Sequence, residues 1–330
     1  MINYKNFGRG LGATVRTNGG FSVLLAALLA ACSQGADLSG IAAERQKPVQ
    51  RYDTSQAIAA NGQSVVVGTQ SGAVLVSADQ ASTWQRQQLG TTSLVDIAVC
   101  PDKSYVAIDH YHKVWFAGAE GSQWKSVALD KPRTPLAVSC DPQGAWWVAG
   151  VNSTIAGSHD QGKTWQVTEF GEDTQITSIQ FVDGKHGFAL GEFGFLVRSD
   201  DGGASWKKGP SLPGEFYPYA ALFRDAREGW VSGIAGQMLH TRDGGQSWQK
   251  QLNGTQTSLN RLFMHDGVPF AVGNGGVVAS LDGDSWRAEP YPDQLPMFLG
   301  GAASLPGQKA IVIGGPGGLL RAVGTAQHNK

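Results

Sequence analysis

The sequence lacks several features that would point to a particular class of protein. Its 330 residues carry a formal net charge of −1 at pH 7, and only 16% of them are charged. This balance, without a basic patch, gives no support for nucleic acid as a partner. The chain also has no Gly-x-Ser-x-Gly nucleophile elbow and no phosphate-binding loop. It is rich in glycine instead, with 45 residues, which favours a soluble, turn-rich β protein over a helical or disordered one.

Residues 1–31 are typical of an export signal and are set aside from the fold. A start with basic and no acidic residues precedes an apolar run from Phe21 to Ala31, which is too short to span a bilayer as a mature helix. The run ends in Leu29-Ala30-Ala31-Cys32, which resembles the lipobox of bacterial lipoproteins. The resemblance implies cleavage before Cys32 and lipid on that cysteine. An ordinary secretory signal with an incidental cysteine is the alternative.

Lipid on Cys32 would anchor the exported protein to a membrane. Ser33 follows the cysteine, and in a Gram-negative lipoprotein this residue favours sorting to the outer membrane. The predicted location is therefore the periplasmic face of a bacterial membrane. Residues 33–48 are rich in Ser, Gly, Ala and Gln, as expected of a short tether.

A turn that ends in tryptophan recurs along the chain. Its best copies have the form Ser/Thr-x-Asp-x-Gly-x-Ser/Thr-Trp, as in Ser199 to Trp206. A glycine that closes an apolar strand recurs with the same period of 40 to 42 residues, as at Gly191 and Gly233. Two independent marks with one period indicate a structural repeat. The marked turn residues are Asp79, Trp84, Trp124, Asp160, Trp165, Asp201, Trp206, Asp243, Trp248, Asp282 and Trp286.

Each repeat contains four short strands. In the unit from Ile176 to Pro210, an alternating strand, a buried strand and a third apolar strand precede the tryptophan turn and a polar fourth strand. Four strands in ~40 residues is the period of a propeller blade. Six glycine marks and Asp109, which fills the one gap, make seven marks and predict an all-β fold: a single seven-bladed β-propeller of four-stranded antiparallel blades.

The last repeat predicts how the ring closes. Its sequence, Phe298 to Val323, ends before an outer strand can form. We therefore expect residues 48–52 to supply the outer strand of the seventh blade. The predicted organisation is a signal peptide at 1–31, the lipidated cysteine and tether at 32–47, the propeller at 48–325 and a tail at 326–330.

The tryptophan turn is interpreted as structural. Its Asp accepts hydrogen bonds from turn N–H groups, and its Trp buries ~200 Å², of order 5 kcal/mol before entropy. Each turn supplies one or two carboxylates, whereas calcium needs six to eight oxygen ligands. We predict no metal and no cofactor. Blades 3 to 5 have the most complete turns, because blade 2 lacks the Asp, blade 1 has Ala81 in place of Gly, and blade 6 is one residue short.

The turns and strands together resemble a known family. The segments Gly191 to Trp206 and Gly233 to Trp248 share one extended motif, and Gly187 to Gly191 and Gly229 to Gly233 are Gly-aromatic-x-x-Gly strands. These motifs are similar to those of the photosystem II stability/assembly factor family, over about residues 49 to 325. The resemblance implies a seven-bladed, often lipid-anchored propeller without catalytic activity. Its function would be that of a binding scaffold or assembly factor for a membrane protein complex.

Glycoside hydrolases of the sialidase type also carry Asp-boxes and provide the alternative, as does a carbohydrate-binding propeller. A sialidase needs three arginines and a Tyr nucleophile activated by a Glu, and usually has Arg-Ile-Pro before the first box. The sequence contains no Arg-Ile-Pro. His110 and His112 could hold a metal, but no third ligand is evident and catalytic zinc usually has three. We therefore predict that the chain is not an enzyme.

Cys100 and Cys140 lie at the ends of inner strands in neighbouring blades. An exported protein can form disulfides. Equivalent positions on adjacent blades diverge from the axis, however, and a disulfide needs Cα atoms within ~7 Å. Buried free thiols are the preferred interpretation, with the disulfide left open.

The hypothesis for binding concerns one end of the strands. Loops between blades share this end with the Gly-x-x-Gly hairpins, and they are rich in the aromatic, Met and Arg residues that are enriched at interfaces. We predict that this face docks a membrane-protein client, while packing of these rings between blades or in the channel mouth is the alternative. The predicted interaction residues are Phe193, Phe216, Tyr217, Tyr219, Tyr291, Met297, Phe298 and Arg133.

Overall fold

A computed structural model of the chain describes residues 39–214 and 216–325, and the chain divides into two units, Met1–Lys47 and Pro48–Lys330. Among the described residues of the first unit, one helix, α1 (Ser39–Gln46), lies within the predicted tether. The predicted signal peptide, Cys32 and the tail at 326–330 lie outside the described residues. Within the described part of the chain, no helix has both the length and the apolar character needed to cross a membrane.

The described residues of the second unit form seven sheets, which are antiparallel except for one short parallel pair. The innermost strands are β1 (Ser55–Ala60), β5 (Leu94–Val99), β9 (Pro135–Cys140), β13 (Ile176–Phe181), β17 (Pro218–Phe223), β22 (Leu259–His265) and β26 (Gly301–Ser304). The second strands are β2 (Val65–Thr69), β6 (Tyr105–Asp109), β10 (Trp146–Gly150), β14 (Gly187–Gly191), β18 (Gly229–Gly233), β23 (Val268–Gly273) and β27 (Ala310–Gly314).

The third and outer strands complete the blades. The third strands are β3 (Ala73–Ser77), β7 (Lys113–Ala117), β11 (Thr154–Ser158), β15 (Leu196–Ser199), β19 (Met238–Thr241), β24 (Val278–Asp282) and β28 (Leu320–Gly324). The outer strands are β4 (Gln85–Gln88), β8 (Lys125–Ala128), β12 (Gln166–Glu169), β16 (Lys207–Lys208), β20 (Gln249–Lys250) and β25 (Ser285–Ala288). A short strand, β21 (Leu252–Asn253), pairs in parallel with β25. The predicted seven-bladed propeller is confirmed.

The core lies between the blades. Second strands are buried on both faces, as in β10 and β14, because each is covered by the blade on either side. Outer strands such as β12 are mostly exposed and polar. One cluster joins Trp147 of blade 3 to Phe181 and Trp206 of blade 4. Another joins blade 7 to blade 1 and so closes the ring. The stability of each blade therefore depends on its neighbours.

The prediction that residues 48–52 form the outer strand of blade 7 is wrong. Among the described residues that blade has three strands. The N–H of Gly318 instead donates to the carbonyl of Asp53 (2.9 Å), and the N–H of Ser55 donates to the carbonyl of Gly315 (3.1 Å). Asp53 also binds Arg86 of blade 1 at 2.8 Å. These bonds hold the segment over the hairpin of blade 7, where other blades have an inter-blade loop.

The interpretation of Cys100 and Cys140 as free thiols is also wrong. The two residues form a disulfide, with their Cα atoms 5.0 Å apart. Cys100 directly follows β5 and Cys140 ends β9. These strands lie side by side around the channel, and Val138 donates its N–H to Asp96 across them (3.0 Å). Blades diverge outward, but their innermost strands stay close enough to be bridged.

The turns at the two ends of the strands define two faces of the propeller. We call the end with the turns between first and second strands, and between third and outer strands, the box face. The opposite end carries the hairpins between second and third strands and the loops between blades, and we call it the hairpin face.

Candidate functional site

Four of the six tryptophan turns form the same hydrogen-bonded loop on the box face. In blade 4, Ser199 Oγ donates to Asp201 Oδ1 (2.8 Å) and accepts the N–H of Gly203 (2.8 Å). Asp201 also accepts the N–H (2.9 Å) and the hydroxyl (2.6 Å) of Ser205. Each carboxylate is therefore used within its own turn. Equivalent bonds are made by the carboxylates of Asp79, Asp160 and Asp243.

These bonds keep the box carboxylates ionised. The hydroxyl and then the N–H of Ser205 lower the pKa of Asp201 to about 2. Equivalent bonds from Thr83 and Thr164 lower the pKa of Asp79 and of Asp160 to about 2. Hydrogen bonds to the charged form favour that form, so the charge is stabilised mainly by the turn, with a smaller contribution from Lys207 beside Asp201.

The turns of blades 2 and 6 depart from this pattern but keep their tryptophans. Asp282 of blade 6 forms an ion pair with Arg287 (2.9 Å) and not a box. Trp124 of blade 2 donates Nε1–H to the carbonyl of Gly121 (2.8 Å). Tryptophan burial thus persists where the carboxylate loop is lost. Trp124, Trp206 and Trp286 are buried, and Trp84, Trp165 and Trp248 are half-buried.

The hairpin face differs, because it exposes apolar side chains. Residues 48–325 expose nine large apolar side chains, of which only Val167 and Leu252 lie on the outer rim of the blades. Monomeric proteins seldom concentrate apolar surface on one side without an interaction to use it. The seven on the hairpin face are Tyr52, Tyr111, Phe193, Tyr219, Ile234, Leu295 and Phe298.

Three of these residues, Phe193, Tyr219 and Ile234, form a continuous feature on blades 4 and 5 together with the half-buried Tyr217, and we call these four residues the aromatic ridge. The ring of Phe193 meets that of Tyr217 edge-on with centroids 6.5 Å apart, and Tyr217 meets Tyr219 in the same way at 6.2 Å. Ile234 begins the next hairpin, and its N–H donates to the carbonyl of Tyr217 (3.0 Å). The ridge therefore extends from a hairpin tip towards the channel mouth.

Phe193 is the outermost residue of the ridge and is strained. It has φ 57° and ψ 27°, in the left-handed region, and its side chain is 69% exposed. Ala235 and Gly275 occupy the same hairpin position in blades 5 and 6. A bulky residue in this region costs about 1–3 kcal/mol. Strain and exposure together are typical of a residue retained for binding.

Tyr217 is fixed by Glu192 at the base of the ridge. Its hydroxyl donates to Glu192 Oε1 (2.5 Å), and Glu192 Oε2 accepts the N–H of Gln175 (3.1 Å). The bond to Glu192 raises the pKa of Tyr217 to about 12. The Tyr217 ring is therefore held in one orientation, which lowers the entropy cost of using it for binding.

The other predicted interaction residues have different environments. The prediction that Phe216 is available for interaction is wrong, because its side chain is only 1% exposed. Its ring packs so closely against Gly233 that a Cβ added to this glycine would lie 2.5 Å from the ring. Tyr291 is half-buried, and its hydroxyl donates to the carbonyl of Gly276 (2.6 Å). Met297 packs against the core between blades 6 and 7. Phe298 and Arg133 are exposed on the hairpin face but lie away from the ridge.

Ile234 and Tyr111 were missed by sequence reasoning. Each lies in the hairpin that follows the second strand of its blade, where no neighbouring blade covers a large side chain. An apolar residue inside the Gly-x-x-Gly hairpin was the signal that could have found Ile234.

Arg261 crosses the central channel. It extends from β22 of blade 6 and binds Asp96 of β5 in blade 2 (3.1 Å). It also donates to the carbonyl of Gln56 in blade 1 (3.4 Å). Elsewhere, the described residues contain no group of three or more His, Cys, Asp or Glu that could hold a metal ion.

Comparison with known proteins relates the chain to one family over its central blades. The model of the photosynthesis system II assembly factor YCF48 matches residues 116–218 and 170–257. The photosystem II assembly lipoprotein Ycf48 of Synechococcus sp. (strain CC9902) is 32% identical over 111 residues, which cover 32% of this chain and 33% of that protein. The match thus spans about a third of the length of this curated relative.

Solved structures show the same fold. YCF48 from Cyanidioschyzon merolae has a TM-score of 0.67 at 16% identity and covers 84% of this chain and 97% of its own. YCF48 bound to D1 peptide has a TM-score of 0.66 at 14% identity, covering 86% and 96%. A catalytically inactive virginiamycin B lyase from Staphylococcus aureus with quinupristin has a TM-score of 0.72 at 11% identity, covering 83% and 96%. The resemblance to the photosystem II assembly factor family is confirmed, and the glycoside hydrolase alternative is not favoured.

Proposed function

We propose that this chain is a non-catalytic assembly or stability factor that binds an extracytoplasmic segment of a membrane protein through its hairpin face. The observation that carries the proposal is the asymmetry of the two faces. Seven of the nine exposed large apolar side chains of residues 48–325 lie on the hairpin face. The box face instead uses its polar groups within its own turns.

The aromatic ridge is the proposed contact. Phe193, Tyr217 and Tyr219 present rings that are already packed against one another, so little side-chain freedom is lost on binding. Buried tyrosines and other aromatics commonly dominate interface energies. A segment with apolar residues, such as a loop next to a transmembrane helix, has the matching chemistry.

The kind of client is inferred from the relatives. Curated relatives of the chain are named as photosystem II assembly lipoproteins, and one solved YCF48 is bound to D1 peptide. We extend this by analogy to a reaction-centre subunit of the D1 type as the first client to test. The broader proposal is a client within a membrane complex.

Lipid on Cys32 completes the proposal. A lipidated Cys32 would keep the propeller at the periplasmic face of a membrane, the outer membrane in a Gram-negative cell. The lipoprotein names of the relatives support this anchor. Cys32→Ser should move the protein from the membrane to the soluble fraction, which fractionation of cells expressing both forms would measure. Equal membrane retention of Cys32→Ser would contradict the anchor.

Site-specific photocrosslinking tests the binding face. A benzoylphenylalanine at position 193 should crosslink to a membrane protein in native membranes, recovered through a C-terminal tag so that Cys32 stays available. The matched control carries the same probe at Ala204, which is exposed on the box face of the same blade. A product from position 204 but none from position 193 would contradict the proposal.

Titration with the D1 peptide tests the client. We expect binding that is weakened roughly tenfold or more by Phe193→Ala together with Tyr219→Ala, as for aromatic hot spots. Crosslinking at position 193 without peptide binding would support the hairpin face as the binding face but would reject a D1-type client. A glycosidase screen on the same protein provides the test for the enzymatic alternative, and turnover there would overturn a non-catalytic function.

A further inference from the structure

Blade 7 differs from the other six blades at its outer edge. Each of the others has an outer strand paired with its third strand, whereas the described part of blade 7 ends at β28. The segment before β1, which could have filled this edge, is bonded to the hairpin of the blade instead. Within residues 39–214 and 216–325, no strand pairs with the outer edge of β28.

The register of β28 identifies its outward backbone groups. Thr325 donates its N–H to the carbonyl of Lys309 (3.0 Å), and Gly315 donates to the carbonyl of Leu319 (2.9 Å). Since hydrogen-bonded pairs alternate along an antiparallel ladder, the N–H and C=O groups of Leu320, Ala322 and Gly324 point away from β27. In residues 39–214 and 216–325, nothing bonds to these backbone groups.

The sequence of β28 is that of a covered strand. Leu-Arg-Ala-Val-Gly resembles the third strands of other blades, such as Ala-Val-Leu-Val-Ser in β3, each of which is covered by an outer strand. Natural edge strands are usually protected by charges, Pro or bulges. Apart from Arg321, β28 has none of these. An uncovered third strand can be extended by a strand from another chain.

Arg321 defines the charge of this edge. Its guanidinium donates to the carbonyl of Asp293 (3.2 Å) but makes no ion pair with a described carboxylate. Alternate residues face opposite sides of a sheet, so Arg321 faces blade 6 together with Val323, which packs in the core between blades 6 and 7. A residue paired opposite Arg321 would lie beside this unpaired cation.

We propose that the β28 edge is a second binding site, which adds an extended segment of a partner protein as an antiparallel outer strand. The segment carries a carboxylate opposite Arg321, and its backbone bonds to Leu320, Ala322 and Gly324. This site is independent of the aromatic ridge, since it lies on the outer rim of another blade.

A peptide made from an existing outer strand tests the site. Ala156 in β11 and Arg321 in β28 occupy equivalent positions, since each lies six residues after the recurring glycine of its repeat. Ala156 pairs with Val167 of β12. A labelled peptide of residues 163–170 with Val167→Glu should therefore place its new carboxylate opposite Arg321. We expect it to bind roughly tenfold more tightly than the parent peptide by fluorescence anisotropy. It should also slow amide exchange at Leu320, Ala322 and Gly324.

Two changes remove the backbone pairing. Ala322→Pro deletes one outward N–H and should abolish binding, while Ala322→Ser should keep it. If Ala322→Pro does not fold, a peptide with alternate N-methylated residues tests the same bonds from the other side. Absence of binding, equal binding by the N-methylated peptide, or loss of the preference for Glu would overturn the proposal. A concentration-dependent dimer with protected β28 amides would overturn it in favour of a second copy of this chain.

Discussion

The two faces of the propeller carry loops of similar length and glycine content but differ in their side chains: the box face has polar groups bonded within their own turns, and the hairpin face exposes apolar groups. On the box face, Asp201 accepts hydrogen bonds from Ser199 and Ser205 within its own turn. On the hairpin face, Phe193 is exposed in a strained conformation. The box face therefore contributes to stability, and the hairpin face retains surface that stability does not require.

This comparison separates repetition from function. The hydrogen-bonded tryptophan turn recurs in blades 1, 3, 4 and 5 because each of these blades must connect its third strand to its outer strand and bury the same tryptophan. The ridge is confined to blades 4 and 5. A feature that a repeat protein repeats is usually needed for the fold, while a feature present once is a better candidate for binding.

The largest expected effects are on the box-face core. Trp206 packs against Trp147 and Phe181 across the junction of blades 3 and 4, whereas Trp124 has Tyr105 as its aromatic neighbour. Trp206→Ala should lower the free energy of unfolding by about 3–5 kcal/mol, and Trp124→Ala by less. Denaturant titration measures both. Equal or reversed losses would contradict the difference between complete and incomplete turns.

A neighbouring pair of phenylalanines compares buried and exposed rings within one hairpin. Phe195 is 3% exposed, and Phe193 is 69% exposed. Phe195→Ala should lower the free energy of unfolding by about 3 kcal/mol or more. Phe193→Gly should change it by less than about 1 kcal/mol, because relief of strain offsets the greater freedom of glycine in the unfolded chain. A large loss in Phe193→Gly would show that this ring is part of the core.

The smallest expected effect is the pH dependence of the stability that Asp201 contributes. The pKa of Asp201 is lowered to about 2 by the bonds from Ser205, against about 3.9 in an unfolded chain. The unfolded state therefore binds the proton first on acidification, and the contribution of the carboxylate is fully present above pH 4 and is lost as the pH falls towards 2. Asp201→Asn should be less stable than wild type at pH 6, and the difference should shrink below pH 4. Asp282→Asn, which removes no box, is the matched control, and a difference that grows on acidification would contradict the assignment.

The periodic part of the structure could be predicted from the sequence, because each blade repeats local spacing, alternation and turn residues. The partners of residues 48–54 could not be, since Asp53 meets Arg86 and the hairpin of blade 7 through contacts that no local pattern specifies. The disulfide depended on the distance between two innermost strands near the axis.

The candidate site was predicted less well for a related reason. Phe216 and Tyr217 are adjacent and equally aromatic, yet the first packs against Gly233 and the second supports the ridge. Which of the two neighbouring rings is buried depends on the path of the loop into β17 and on the close approach of Phe216 to Gly233, which the composition of the loop does not specify. Composition led to the prediction of this face as the binding face, which stays a prediction, and it could not specify the individual contacts.

The central claim is that binding and stability are assigned to opposite faces, and one paired measurement tests it most directly. Phe193→Gly and Asp201→Asn are each assayed for the free energy of unfolding and for client binding, by crosslinking from a benzoylphenylalanine at position 219. The claim predicts a crossed result: Phe193→Gly loses binding and keeps stability, and Asp201→Asn loses stability and keeps binding. Folded Asp201→Asn protein that no longer binds, beside Phe193→Gly that binds normally, would contradict it.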